Sequence, residues 1–571
     1  MSDVQRPMSG QRYLAAALHA YGVSHVFMVP SAFTAANAAL DLLGVEVVMT
    51  HGEKAAAYMA DAYARATKRP GVCFAQNIGA SNLAAGLRDA YMANSPVIVL
   101  TGGTTEETSN RRVYQQIDDL GMFDSVTKLN IVVDSPHRLP ELLRQAFRVA
   151  TTGAPGPVHL RIPGATGESL NNPMPTGQTV WAEPRFISYP AFRPRPEADD
   201  IAATVRLLSA SQRPVIVAGG GVRASGAEAE LLELVEKLSI PVATSMNGKG
   251  AIDETHPLAL GVVGSYSRDS ANQAVAEADL VLFVGSGTGS QITDRWRLPA
   301  IGTTVIQIDI NPEELGRHYP NAASVQGDAR EVLRELIVAV SSHQATAWSG
   351  RAGQLVDEWR ARVESDLGST DQPIRPERIC RAVQSAMPED GILLSDTGHA
   401  GIWTASMIDL TPRQSFLRCA GSLGWALPAA IGAAAAAPDR TVIAFTGDGG
   451  FYYHLAELET AVRHKFRAKI VINNNQALSQ NFRGFAKAFG EPIAPGGNRL
   501  WQFEKLDLAE VARSLGCMAI RVTDPDQLES AMQEAVAFDG PVVVDVIADP
   551  AVLAPPPHGG RDFYDMNPPK S

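Results

Sequence analysis

Cysteine is scarce in this chain. Four thiols are spread over 571 residues, at Cys73, Cys380, Cys419 and Cys517, and no C-x-x-C pair occurs. That spacing suggests neither a zinc site nor a disulfide framework, and it suits a reducing, cytoplasmic setting. Positive charge is short as well: 49 Lys+Arg against 61 Asp+Glu leave a net charge of −12. No basic stretch offsets that balance, which argues against a nucleic-acid partner. Long hydrophobic runs are missing too. The partly apolar stretch from Tyr13 to Val23 is interrupted by His19 and reads as an amphipathic helix, not a signal peptide. The small-apolar run near Ala429–Ala437 is too short to span a bilayer and reads as a tightly packed helix. No membrane partner is expected.

What the chain does have is alternation. A chain of this length exceeds one core and predicts three domains. Short apolar strands alternate with helical stretches, the pattern of α/β units with parallel sheets. In the first third, strands are predicted at Val23–Val29, Val45–Met49, Val72–Gln76, Val97–Thr101 and Val158–Ile162. Six prolines between Pro173 and Pro196 mark a semi-rigid linker. A second unit has strands at Val215–Ala218, Val242–Thr244, Leu280–Val284 and Thr304–Ile308, then a polar helix from Gln354 to Asp366 and a linker from Thr370 to Pro376. The last third has strands at Ile392–Ser395, Val442–Phe445, Ile470–Ile472 and Val542–Val546. The outer thirds each close on a Gly-Pro-Val strand, at Gly156 and at Gly540, which hints at duplication. The expected fold class is therefore α/β, with three doubly wound parallel-sheet domains at 1–172, 197–342 and 376–555 and a proline-rich tail at 556–571.

The most specific pattern lies in the last third. Val442–Phe445 runs into Thr446-Gly447-Asp448-Gly449, and 24 residues later Asn474-Asn475 end a second apolar strand. Parallel strands open their carboxyl ends onto one sheet edge, so one hard oxygen ligand comes from each, which suits Mg²⁺ holding a diphosphate. In the first third, His51-Gly52-Glu53 ends a strand and begins an alanine-rich helix. Taken alone, Glu53 reads first as a charge that offsets the helix dipole.

Taken together, these motifs resemble the thiamine-diphosphate-dependent 2-oxo-acid decarboxylase and carboligase family, most closely its acetolactate-synthase-like branch. The resemblance covers nearly the whole chain. It implies a pyrimidine-binding first domain, a central Rossmann-like domain and a diphosphate-binding last domain. It also implies thiamine diphosphate and Mg²⁺ as cofactors, with Asp448, Asn475 and the backbone carbonyl of Ala477 as metal ligands. Glu53 is implied to hydrogen-bond the cofactor's pyrimidine and relay a proton. Gly421 is implied to accept from its amino group, and Leu423 to wedge its two rings apart; without the family, Leu423 reads as core. Gly447, Gly449 and Gly450 are implied to approach the diphosphate, with backbone amides at a helix N-terminus. Glu457 is implied to be structural.

Substrate-side readings follow from the same resemblance. Ala32 and Phe33 lie in the loop Pro30-Ser31-Ala32-Phe33, where carboligases keep a small residue. Gln115, in Tyr114-Gln115-Gln116, is implied to contact the reacting carbonyl. Gln480 and Asn481 stand where acetolactate synthases usually carry apolar side chains; they either bind polar groups of the substrate or face solvent. The family's Gly-Pro-Gly loop is replaced here by Asn77-Ile78-Gly79. The central domain carries Gly219-Gly220-Gly221, Gly285-Ser286-Gly287 and Asp309. Acetolactate synthases hold FAD there without redox use, but Gly287 stands where flavin-binding relatives usually have arginine, so the balance is against FAD. The implied function is decarboxylation of pyruvate or a similar 2-oxo acid, with transfer of the acyl unit to a second carbonyl. The alternatives are a non-ligating decarboxylase, a C–C hydrolase of a diketone, or a nucleotide-binding regulator. A homodimer or homotetramer with sites between subunits is expected.

Overall fold

The computed structural model describes residues 8–342, 347–490 and 497–555; the tail expected at 556–571 lies outside them. Three all-parallel sheets of six strands each, with flanking helices, form three α/β units. The first contains β1 His25–Met28, β2 Glu46–Met49, β3 Gly71–Ala75, β4 Val97–Gly103, β5 Leu129–Val132 and β6 Val158–Pro163. The central sheet contains β7 Pro214–Ala218, β8 Val242–Thr244, β9 Ala259–Val262, β10 Leu280–Val284, β11 Thr304–Asp309 and β12 Ala323–Gln326. The last contains β13 Ile392–Ser395, β14 Ser415–Arg418, β15 Val442–Gly447, β16 Ala468–Asn474, β17 Met518–Val522 and β18 Val542–Ile547.

The two outer sheets share one strand order. The first sheet runs β2-β1-β3-β4-β6-β5 and the last runs β14-β13-β15-β16-β18-β17, the same order position for position. The central sheet runs β12-β11-β10-β7-β8-β9, the dinucleotide-fold order read from its other edge. Ligand crevices open where strand order reverses. In the outer sheets that is between β1 and β3 and between β13 and β15; in the central sheet it is between β7 and β10.

Five strands escape the sequence reading: β5, β9, β12, β14 and β17. Every one is a sheet edge. Two of them hide little: β5 has no fully buried residue and β17 only one; β9, Ala259–Val262, is buried throughout but is four residues long with a glycine inside, which weakens its strand signal. The second linker is also less free than expected. Ile374 is fully buried and bridges Ala548 beyond β18, so the chain is docked before the next helix begins at Pro376.

The outer units share one core. A single cluster of buried side chains runs from Phe27 in the first sheet to Val543 in the last. At its centre the helix Glu53–Thr67 crosses the helix Ala426–Ala436. Both are alanine-rich, and all but the last residue of the second are buried. The crossing is at backbone distance: a Cβ on Gly432 would lie 2.1 Å from the Met59 carbonyl oxygen. Trp425, fully buried beside it, donates its indole N–H to Asp61 Oδ2 at 3.0 Å. Burying an aromatic side chain of this kind contributes on the order of 2–3 kcal/mol.

Gly432→Ala tests this crossing. In an ordinary helix interior the change stabilises by about 1 kcal/mol. Here the added methyl has to push the two helices apart, so the sign reverses. A lower melting midpoint is expected, equivalent to roughly 1–3 kcal/mol; a higher one refutes the close crossing.

Candidate functional site

The crevice of the last sheet lies between β13 and β15, and each strand delivers a buried acid one residue past its end. Asp448 follows β15 and opens the helix Asp448–His454. Its Oδ1 accepts from the Gly449 N–H at 2.8 Å and its Oδ2 from the Ala477 N–H at 3.0 Å. The structure thus brings Asp448 and Ala477 together across 29 residues of chain. Burial pushes the Asp448 carboxyl up to about 7.

The three asparagines at the end of β16 divide their work. Asn474 donates to Asp545 Oδ1 at 2.7 Å inside the sheet. Asn473, in register with Gly447, keeps a buried side-chain oxygen without a partner among the described residues. Asn475 lies beyond the strand and donates to Ser479 Oγ at 3.0 Å, which commits its nitrogen and leaves the carbonyl oxygen as its hard-donor end. Gln476 then takes a left-handed turn, φ 59°, that brings Ala477 back to Asp448.

The glycines here answer to side chains. A Cβ on Gly449 would meet Leu478 at 2.5 Å, and one on Gly450 would meet Asp396 Oδ2 and Thr446 Oγ1 at 2.6 Å. Gly447 faces open space.

Asp396, one residue past β13, is the site residue that the sequence reading missed. It is buried, and it accepts from the Gly424 N–H at 3.0 Å, Thr446 Oγ1 at 2.9 Å and the Thr397 N–H at 2.8 Å. One carboxylate thereby joins the loop after β13, the loop before Trp425 and the end of β15. Burial lifts it to about 6. A signal was available: like Asp448, it is an acid immediately after a strand that begins with an apolar run.

The segment with Gly421 and Leu423 is held from the first unit. Asp89 Oδ1 accepts from the Ala420 N–H at 2.7 Å, its Oδ2 takes the Ser422 hydroxyl, and Arg88 donates to Ser422 Oγ at 2.6 Å. Gly421 is exposed at φ 146° and Leu423 is half-buried.

Glu53 starts its helix, half-buried, with Oε2 accepting from Asn82 Nδ2 at 3.1 Å. Gly79 lies against it: a Cβ there would be 2.5 Å from Glu53 Oε1. The chain just before Glu53 is pinned by the last unit, where Glu457 Oε1 accepts from the His51 N–H at 3.0 Å. Glu457 is buried, and its carboxyl is raised by that burial. Among the described residues, no hydrogen bond joins Glu53 to Asp448 or Asn475.

The substrate-side residues separate. Ala32 and Phe33 are buried in the core of the first unit, where the Phe33 ring meets Phe74 at 5.2 Å between centroids. The Phe33 side chain is used on packing, and the backbone of that loop, with φ 54° at Phe33, is what reaches the strand end. Gln115 is exposed at φ 60° in the loop after β4. Gln480 and Asn481 are half-buried; Gln480 Nε2 donates to the hydroxyl of Tyr266, from the central unit, at 3.4 Å. His399 shares a hydrogen bond with Ser479 Oγ at 3.0 Å, and burial lowers its imidazole to about 4, so it is neutral at pH 7.

In the central crevice, Gly219 and Gly221 press on Gly285, with would-be Cβ contacts of 2.2 and 2.7 Å. Backbone packing accounts for those glycines, so they carry no argument for a flavin.

Three family descriptions match along the chain. The N-terminal TPP binding domain of thiamine pyrophosphate enzymes matches residues 8–122, the central domain 201–336 and the C-terminal TPP binding domain 396–546. The chain belongs to the thiamine pyrophosphate enzyme family. It is 34% identical to a probable acetolactate synthase large subunit of Methanocaldococcus jannaschii over 97% of this chain and 94% of that protein. It is 30% identical to the acetolactate synthase isozyme 3 large subunit of Escherichia coli, with 95% of each covered. The acetolactate synthase large subunit of Haemophilus influenzae is 28% identical, again with 95% of each covered. No helix among the described residues is long and apolar enough to cross a membrane.

Gly79→Ala probes the floor under Glu53. Gly79 has helical backbone angles, φ −79° and ψ −10°, so alanine fits the chain and only the carboxylate has to move. An unchanged melting midpoint with turnover down about 10²-fold is expected, the cost of a misplacement near 1 Å. Full activity in a folded Gly79→Ala protein shows that the carboxylate position is immaterial.

Proposed function

We propose that this enzyme decarboxylates pyruvate or a similar 2-oxo acid and joins the acyl unit to a second carbonyl, as an acetolactate-synthase-like carboligase. The observation that carries the proposal is the meeting of Asp448 with the Asn475–Ala477 turn at the crevice of the last sheet, in a chain of this family. The donor set is one carboxylate, one amide oxygen and one backbone carbonyl, all hard oxygens of the kind Mg²⁺ takes. A buried carboxyl raised by desolvation, with the Asn475 side-chain nitrogen already committed to Ser479 so that its oxygen is the free donor end, fits a bound cation.

In this reading Asp448, Asn475 and the Ala477 carbonyl would hold Mg²⁺, and backbone amides around Gly447, Gly449 and Gly450 would bind the diphosphate. Thiamine diphosphate, when bound, supplies the electron sink that 2-oxo-acid decarboxylation requires. The chain's own residues do the rest. Glu53 holds a proton at Oε1 while Asn82 occupies Oε2. The Gly421 carbonyl accepts from the cofactor's amino group, with its loop fixed by Asp89, and Leu423 presents an apolar face. Gln115, Gln480 and Asn481 meet the polar groups of the substrate. Phe33 supports the Ala32 loop from the core. Glu53 and the Asp448 site sit on different units, and a second copy of the chain completes each site, in a homodimer or homotetramer. No flavin is assigned to the central crevice.

Glu53→Gln keeps the side chain's shape and removes the acid. Retained Mg²⁺ and thiamine diphosphate binding is expected, with turnover on pyruvate down about 10²–10⁴-fold, the range of one acid–base group. An unaffected rate refutes the proton-holding role. Mass analysis of products separates the carboligase from its rivals, since acetolactate or acetoin supports it and free aldehyde or acid alone opposes it.

The Asp448 carboxyl generates a pH test. Its folded value lies above the ordinary carboxylate range, so its burial costs stability progressively as pH rises to about 7 and fully above that. Mg²⁺ offsets the cost only where the carboxyl is ionised. Mg²⁺ with thiamine diphosphate should therefore raise the melting midpoint more at pH 8 than at pH 6. An equal or larger rise at pH 6 argues against Asp448 as the ligand.

A further inference from the structure

We infer that Asn77 is a positioning residue that clasps the Gln115 loop onto the turn beneath Glu53. The inference rests on the function proposed above. The turn Asn77–Gly79 follows β3, at the crevice of the first sheet. Its far end is Gly79, whose missing Cβ leaves room for the Glu53 carboxylate. Its near end is Asn77, fully buried. The Asn77 side chain donates from Nδ2 to the Ile117 carbonyl at 3.1 Å and accepts at Oδ1 from the Ile117 N–H at 2.6 Å. Both backbone groups of one residue are thus taken by one amide, in the way a neighbouring strand would take them. The Asn77 backbone is anchored in turn, its N–H donating to the Ala165 carbonyl at 2.8 Å.

Ile117 is two residues beyond Gln115. The chain between them and β4 is an exposed loop with three non-glycine residues at positive φ: Asn110 at 60°, Arg112 at 51° and Gln115 at 60°. Such backbone persists only where the surroundings hold it. The loop's other bonds are mostly internal, from Thr105 to Thr108 and from Gln116 to Thr108. Thr104 adds a longer bond, 3.3 Å, to the same Ile117 carbonyl. Beyond Ile117 the chain becomes buried again at Asp119. Asn77 therefore sits where the loop passes from solvent into the fold, and it sets where Gln115 stands relative to Glu53. A glycine at this place has no side chain with which to make the clasp. A held loop presents a preformed pocket to the 2-oxo acid and its acceptor and keeps water from the acyl unit; a free one has to be ordered by the substrate.

The first test needs no cofactor. In the cofactor-free protein, Asn77→Ala and Asn77→Gly should speed amide hydrogen exchange at Ile117 and along residues 104–118 about tenfold or more, the scale of one or two hydrogen bonds. Amides of β3 and of the Glu53–Thr67 helix should not change. In the holoenzyme, KM for pyruvate should rise about tenfold with kcat changed less, on the same scale. The ratio of ligated product to free aldehyde should fall. Deuterium exchange at the C2 position of bound thiamine diphosphate, read without substrate, should stay within about twofold, because Glu53 is untouched. If the alanine variant is unstable, Asn77→Ser, too short to reach both atoms of Ile117, should give the same loop signature. Unchanged exchange at Ile117 and an unchanged KM in a folded variant overturn the inference. So does a general loss of stability, with no exchange specific to the loop, in every variant. A wild-type protein that never takes up thiamine diphosphate sinks the proposed function instead, and the exchange experiment still decides the clasp.

Discussion

The structure depends on two small-residue helices crossing at backbone contact. Glu53–Thr67 and Ala426–Ala436 occupy equivalent places in the two outer units, each following the second strand of its sheet. Only glycine at position 432 permits the approach to the Met59 carbonyl, and alanines on both sides keep the helices close. Side chains that small bring little apolar surface each. The gain comes from dense packing and from the larger groups that close around the crossing, such as Trp425 and Phe451. Because Glu53 is the first residue of one helix and the Gly421–Leu423 loop leads into the other, the crossing also sets the frame in which the candidate site is built.

Buried acids then tie the loops to that frame. Asp89, Asp396, Asp448 and Glu457 each accept backbone N–H groups from a segment that lies outside the three sheets. A carboxylate takes several donors at once, which a neutral side chain cannot match. Desolvation raises Asp396, Asp448 and Glu457, so ionising them carries a cost that the surrounding N–H groups only partly offset. Two of these contacts run between the outer units, from Glu457 to His51 and from Asp89 to Ala420. The central unit joins through charged groups. Arg268 is buried against Asp409 at 2.6 Å, and Arg418 reaches Gln291 at 2.6 Å. Its Tyr266 extends to Gln480, beside the crevice of the last sheet.

Much of this was legible in the chain, and the parts that were not have a common cause. Interior parallel strands hide both faces and read as continuous apolar runs, so β3, β4, β10 and β15 stand out. The edge strands β5, β9, β12, β14 and β17 did not stand out: β5 and β17 are little buried, and β9 is short and broken by a glycine. In the site, the Asp448 and Asn475 pattern was readable because its residues are fixed by spacing along two adjacent strands. Asp396 and Asn77 were not singled out as site residues because their importance lies in partners 28 to 50 residues away. Phe33 was read as facing a substrate, whereas its ring is in the core of the first unit.

The sequence by itself determined the α/β class, three sheets, the strand ends that carry acids and amides, and the family. Each of those is local: a period, a run or a spacing along one stretch of chain. Only the tertiary structure decided which asparagine pairs inside the sheet and which lies beyond it, that the outer units share a core, and which buried groups hold the loops with Gly421 and Gln115. Those outcomes are set by contacts between segments from 40 to 331 residues apart, where a difference of an ångström decides whether a side chain fits, and no local pattern encodes that distance.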